Sequence, residues 1–176
     1  MTVSDSAVLD ALRAVTDPNT GKDFVSTRQL KNLTVTDGDV AFDVELGYPA
    51  KSQIPALRRA LVAAARTVPG VANVSANISF RVIAHAVQRG VQLLPNVKNI
   101  VAVASGKGGV GKSTTAANLA LALAAEGARV GLLDADIYGP SQPMMMGIDR
   151  RPESADGQTM EPLENYGVQV MSIGFL

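Results

Sequence analysis

Apolar and polar residues alternate with two different periods in the first part of the chain. Apolar side chains at helical spacing predict helices over residues 6–15 and 54–67. Alternation on both sides of Asp37-Gly38 predicts a β-hairpin, because this dipeptide tolerates the positive φ angles of a tight turn. Alternation over residues 71–80 predicts a third strand. Residues 1–80 are therefore expected to form a small α+β domain.

A different pattern begins at residue 98. Residues 99–105 form a nearly continuous apolar run, which is typical of a parallel strand covered on both faces. A glycine-rich loop follows, and then a predicted helix over residues 113–126 that ends before Gly127. A second apolar run covers residues 129–134. Strand, helix and strand in this order predict a βαβ unit of a parallel sheet.

The segment between the two patterns predicts a domain boundary. Residues 81–97 show no clear strand pattern and are interpreted as a linker with a short helical piece. Residues 98–176 are then the second domain. Within it, residues 137–166 are rich in turn-forming residues, and residues 168–175 predict one more strand.

Composition and charge narrow the possible functions. The chain is 47% hydrophobic and 18% charged, as expected of a globular protein. Residues 1–90 carry a net charge of +2 (ten basic, eight acidic) and residues 91–176 carry −2 (six basic, eight acidic), which argues against a nucleic-acid surface. The absence of cysteine excludes disulfides and thiolate metal sites within these residues. No signal peptide or membrane span is recognisable, so we expect a cytoplasmic protein without a membrane partner.

The glycine-rich loop has the sequence of a phosphate-binding loop. It reads Gly-Lys-Gly-Gly-Val-Gly-Lys-Ser and fits the pattern G-x-x-x-x-G-K-[S/T] at every constrained position. Its glycines let backbone N–H groups point at phosphate oxygens, and the following helix N-terminus favours anions. Lys112 is expected to reach the β- and γ-phosphates of ATP, and the Ser113 hydroxyl to ligate Mg²⁺. The predicted nucleotide-binding residues are Gly106, Lys107, Gly108, Gly109, Val110, Gly111, Lys112, Ser113 and Thr114.

Four charged residues in or near this loop are candidates for catalysis or magnesium binding. Lys107 is a second lysine within the loop and is suited to neutralising charge on a transferring phosphoryl group, as is Lys112. Asp134 and Asp136 end the second predicted strand, where the carboxyl ends of parallel strands border the ligand crevice. One of these carboxylates is expected to hold a Mg²⁺-bound water and the other to orient the attacking water. The predicted fold class is α/β, with the α+β domain followed by the first part of a P-loop NTPase parallel-sheet domain.

These motifs together resemble a known family. The loop, followed by Asp-Ala-Asp-Ile-Tyr-Gly-Pro-Ser over residues 134–141, is similar to the Mrp/ApbC/NBP35 family of iron–sulfur cluster carriers, which are ATPases with a deviant Walker A loop. Asp17-Pro18, Tyr48-Pro49 and Pro69-Gly70-Val71 resemble the MIP18-type (DUF59) domain that precedes the ATPase domain in bacterial members.

The resemblance implies a homodimer with ATP at its interface, in which Lys107 reaches the partner's nucleotide, Asp136 belongs to the first switch and Asp134 to the magnesium site. ATP binding and hydrolysis would control the exchange of a bridging [4Fe–4S] cluster with scaffold proteins and apo-protein clients. The chain resembles the N-terminal half of such a carrier, because it lacks the second switch and the Cys-x-x-Cys pair that binds the cluster. We therefore expect this chain alone to bind nucleotide without efficient hydrolysis, and none of its residues to ligate a cluster.

Two alternatives remain open at this stage. The first is a spatial-organising ATPase of the MinD or ParA kind, which acts on membranes or DNA and needs a membrane helix or a basic patch. The second is a non-catalytic fragment that binds partners through residues 5–80. The segment over residues 134–141 and the MIP18-like domain favour the carrier.

Overall fold

The computed structural model describes residues 3–85 and 94–176. The chain divides into two compact units, Met1–Ile83 and Ala84–Leu176. The predicted linker, residues 81–97, includes residues that lie outside the described part of the chain, so its boundaries stay a prediction.

The first unit is a three-stranded sheet with two helices. Strands β1 and β2 form the antiparallel hairpin, β2 and β3 are parallel, and the strand order is β1-β2-β3. The elements are α1 (Asp5–Leu12), β1 (Leu30–Thr36), β2 (Asp39–Leu46), α2 (Ile54–Ala65) and β3 (Asn73–Phe80). The predicted helices and strands of this unit are thus confirmed, with ends that differ by a few residues.

Local chemistry explains these elements. The Ser4 hydroxyl accepts a hydrogen bond from the Ala7 N–H at 3.2 Å and so caps α1. The hairpin turns where Asp37 and Gly38 have φ of 50° and 88°. A Cβ at Gly38 would lie 2.7 Å from the Gly70 carbonyl oxygen, so only glycine fits there. One face of β2 packs against both helices, and the fully buried members of this core include Val8, Leu12, Val44, Leu46 and Leu61.

A buried carboxylate fixes the loop after α1. Asp17 is fully buried, and its Oδ1 accepts hydrogen bonds from the Tyr48 hydroxyl at 2.6 Å and the Asn19 N–H at 2.8 Å. Burial, followed by the hydrogen bond to Asp17, raises the pKa of Tyr48 to about 12 from 10.0. Because the neutral phenol is favoured in the folded state, this contribution to stability is complete below pH 10.0 and is lost as pH rises through about 12.

Replacing Tyr48 with phenylalanine is expected to lower the free energy of unfolding of the first unit by about 1–3 kcal/mol, because it leaves a buried carboxylate without its hydroxyl donor. The measurement is native-state hydrogen exchange of the β2 and β3 amides, which reports on this unit by itself. Tyr138→Phe, at a fully exposed tyrosine, is the control and should change nothing. Equal exchange rates in both variants would show that the hydrogen bond between Tyr48 and Asp17 contributes nothing to the stability of the first unit.

The second unit contains one long helix and a small mixed sheet. Strand β4 is parallel to β6, which pairs antiparallel with β5, in the order β4-β6-β5. The elements are α3 (Lys112–Ala125), β4 (Val130–Asp134), α4 (Gln142–Met145), β5 (Leu163–Asn165), β6 (Val168–Ser172) and a 3₁₀ turn (Ile173–Phe175). The core is formed by Ala117, Ala120, Met146, Ile148, Leu163, Val168, Val170 and Phe175. The predicted helix and its end before Gly127, with φ of 94°, are confirmed.

Two predictions for this unit were wrong, and one strand was not predicted. Residues 99–105 do not form a strand, and Ile100 and Val101 are 62% and 65% exposed. A central strand needs neighbours that pair with its backbone, and no described strand pairs with this segment. The predicted βαβ unit therefore lacks its first strand. Strand β4 itself is only partly buried, since Leu133 is 72% exposed. Strand β5 was missed altogether.

Candidate functional site

The glycine-rich loop leads directly into α3. Gly111, with φ of 85°, is the N-terminal cap residue, and no side chain caps the helix. Gly109 also has a positive φ, of 71°. Both angles are strained for other residue types, so these glycines are needed to turn the loop into the helix. The uncapped first turn leaves backbone N–H groups and the positive end of a 14-residue helix for an anion.

The space around the loop is open. A Cβ added at Gly106, Gly108, Gly109 or Gly111 would meet no atom within 4 Å. The Ser105 hydroxyl holds the start of the loop, since it accepts from the Lys107 N–H at 3.1 Å and donates to the Lys107 carbonyl at 3.2 Å. A phosphate group can therefore approach the loop backbone closely.

The predicted loop side chains are available for a ligand. Lys107, Val110 and Thr114 are exposed, whereas Lys112 and Ser113 are half-buried. Among the residues of the two described ranges, neither lysine of the loop forms an ion pair. The residues present thus fit a polyphosphate, which needs free cationic and N–H donors.

Asp134 is the centre of a hydrogen-bond network at the end of β4. It is 8% exposed. Its Oδ2 accepts from the N–H groups of Ser141 and Gln142, both at 3.0 Å, and from the Ser172 hydroxyl at 3.2 Å. Its Oδ1 accepts from the Asp136 N–H at 3.2 Å. The carboxylate therefore holds the loop over residues 135–141 against β6.

Asp136 lies beyond the end of β4 and is exposed. It belongs to the loop that Asp134 holds, so its carboxylate reaches solvent while its backbone is fixed.

The structure links Ser113 to Asp134 through Gln142. The Gln142 side-chain amide donates to the Ser113 carbonyl at 3.1 Å, while its backbone N–H donates to Asp134. Sequence reasoning missed Gln142, and no motif contains a signal for it, because it lies 29 residues from Ser113.

The few oxygen groups of this region fit a Mg²⁺ ion that is also bound by substrate phosphates and water. They do not fit an ion held by protein ligands alone. In the part of the chain that the structure describes, no three His, Cys, Asp or Glu side chains are grouped to hold a metal. Mg²⁺ typically takes one or two protein oxygens together with substrate phosphates and water. Ser113 and Asp134 have side-chain oxygens, and their predicted role at a magnesium site stays a prediction.

Comparison with known proteins now places the chain. Residues 96–176 match the profile of a family described as NUBPL iron-transfer P-loop NTPase, and residues 5–76 match one described as iron–sulfur cluster assembly protein. An iron–sulfur cluster carrier protein from Synechocystis is 39% identical over 99% of this chain and 50% of its own length. The chain is thus similar over almost its whole length to proteins named iron–sulfur cluster carriers. The resemblance inferred from its motifs is thus confirmed.

Two other iron–sulfur cluster carrier proteins also match this chain. The carrier protein of Deinococcus radiodurans is 43% identical over 98% of this chain and 48% of its own length. That of Pseudomonas fragi is 61% identical over 61% of this chain and 38% of its own length. The chain spans about half the length of the curated relatives it matches. A DUF59 domain structure from Bacillus anthracis aligns with 42% of this chain and 72% of its own length, at 18% identity and a TM-score of 0.35.

No helix within the described residues has both the length and the apolar character required to cross a membrane.

Proposed function

We propose that the chain provides the nucleotide-binding part of an iron–sulfur cluster carrier, which binds ATP with Mg²⁺ and delivers clusters to apo-proteins. The observation that carries this proposal is the open, uncapped glycine loop at the start of α3, in a chain whose relatives are named iron–sulfur cluster carrier proteins. The loop side chains and the aspartate network lie in the same unit of the fold.

The residues have separate roles in this proposal. The loop N–H groups from Gly106 onward bind the phosphates, and Lys112 contacts the β- and γ-phosphates. The Ser113 hydroxyl is a direct ligand of Mg²⁺, and Asp134 accepts a hydrogen bond from a water bound to the ion. When bound, the ion neutralises charge on the phosphates. Asp136 orients the attacking water, and Lys107 stabilises charge on the transferring group from a second copy of the chain.

The cluster is cargo in this proposal. These 176 residues contain no cysteine, so the thiolates that bind a [4Fe–4S] cluster come from outside them. The expected partners are a second copy of the chain, cluster scaffold proteins and apo-protein clients in the cytoplasm. Efficient hydrolysis is assigned to the whole carrier and not to this chain alone.

A second candidate, a non-catalytic partner-binding module, is favoured by one observation. The segment before the loop is not a strand, and Ile100 and Val101 are exposed. If the loop does not bind ATP, the folded first unit becomes the part that functions.

Deletion of the gene in its source organism is expected to lower the activity of [4Fe–4S] enzymes without lowering the amounts of these proteins. The wild-type gene should restore the activity, and an allele encoding Lys112→Ala should not. Restoration by that allele would support the non-catalytic module. Normal [4Fe–4S] enzyme activity together with defective division or plasmid partition would instead support a MinD- or ParA-like organiser.

A further inference from the structure

Gln142 contacts both residues that the proposed function places on the magnesium side of the nucleotide. It is the first residue of α4 and is 3% exposed. Its side-chain amide donates to the Ser113 carbonyl at 3.1 Å, and its backbone N–H donates to Asp134 Oδ2 at 3.0 Å. It thereby ties the first turn of α3 to the end of β4.

Core packing alone does not explain an amide at this position. The Oε1 atom of Gln142 is buried and has no hydrogen-bond partner among the described residues. An unpaired buried polar atom destabilises the fold, and an apolar side chain of the same size would avoid that cost. A polar side chain at this position is therefore explained by the hydrogen bond from its amide nitrogen to the Ser113 carbonyl.

We propose that Gln142 is a positioning residue for the magnesium side of the site, an inference that rests on the proposed function. By joining the backbone of Ser113 to the carboxylate of Asp134, it keeps these two oxygen-bearing residues in one arrangement before nucleotide binds. Groups that do not contact a metal but hydrogen-bond to the residues that bind it commonly affect metal affinity. Gln142 therefore affects the gain in ATP affinity that Mg²⁺ provides, more than the affinity of the loop for the phosphates themselves.

The test compares ATP affinity with Mg²⁺ and with EDTA, measured by calorimetry on the chain and on Gln142→Met. Methionine keeps the length and volume of the side chain but removes the donor. The dissociation constant with Mg²⁺ is expected to rise about tenfold, with the value in EDTA unchanged. The ratio of the value in EDTA to the value with Mg²⁺ therefore falls about tenfold. Gln169→Met, the same substitution at an exposed position of β6, is the matched control and should leave the ratio unchanged.

Two results would overturn the positioning role. One is an unchanged ATP affinity of Gln142→Met both with Mg²⁺ and with EDTA. The other is an equal loss of affinity with and without Mg²⁺, accompanied by a lower melting temperature, which indicates only a structural role. If circular dichroism shows that Gln142→Met does not fold, Gln142→Leu decides by the same ratio, since it also removes the donor and adds no charge. Failure of the unsubstituted chain to bind ATP at all would overturn the proposed function, and the positioning role with it.

Discussion

Replacing Lys112 with alanine is expected to abolish measurable Mg-ATP binding, with an affinity loss of at least about 100-fold, or about 3 kcal/mol. Lys112 is the first residue of α3, immediately after the positive-φ Gly111, so its side chain starts where the uncapped helix turn meets the loop. Removing the ammonium group leaves phosphate charge that the backbone N–H groups alone do not balance.

Calorimetry of the chain with ATP and Mg²⁺ measures this effect. Lys98→Ala removes an exposed lysine from the same unit and should bind ATP as the unsubstituted chain does. Hydrogen exchange in β6 should be the same in both variants, which separates lost binding from lost folding. Full affinity in Lys112→Ala would contradict the assignment of a phosphate-binding loop.

Elements determined by local chemistry could be predicted from the sequence. The turn at Asp37-Gly38 needs positive φ angles that its residues tolerate, and the two-residue turn sets the pairing of β1 with β2. The end of α3 before Gly127 follows the same rule. The glycine-rich loop is a contiguous segment, so its residues could be proposed for phosphate binding without knowing what surrounds them.

Elements that depend on distant partners could not be predicted in the same way. The apolar run over residues 99–105 has the composition of a buried strand, but a strand forms only where other strands pair with it. In the structure Ile100 and Val101 are instead exposed. Strand β5 has only three residues and forms because it pairs with β6, so its own sequence contains little signal.

The candidate site combines both kinds of information. The loop and the two aspartates could be chosen from sequence, because each belongs to a short motif. Their connection could not, since Gln142 and Ser172 reach the site from 29 and 38 residues away from their partners. The network also shows that Asp134 is a structural acceptor, in addition to its proposed magnesium role. A substitution at Asp134 therefore affects folding and function together.

Replacing Asp134 with alanine is expected to lower the free energy of unfolding of the second unit by about 3 kcal/mol or more. The substitution removes the acceptor of three backbone N–H groups and one hydroxyl. Donors left unpaired in a buried place cost about 1–3 kcal/mol each, and solvent entry relieves only part of this. Hydrogen exchange of the β4 and β6 amides is the appropriate probe, because the chain has no tryptophan and divides into two compact units.

Asp136→Ala is the matched control, because the carboxylate of Asp136 is exposed and only its backbone N–H contacts Asp134. Its stability should stay within about 0.5 kcal/mol of the unsubstituted chain. Asp134→Asn keeps one acceptor oxygen and should lie between the two alanine variants. If Asp134→Ala were as stable as Asp136→Ala, the network would not hold the loop over residues 135–141. Gln142 would then lose the fixed carboxylate through which it is proposed to position Ser113.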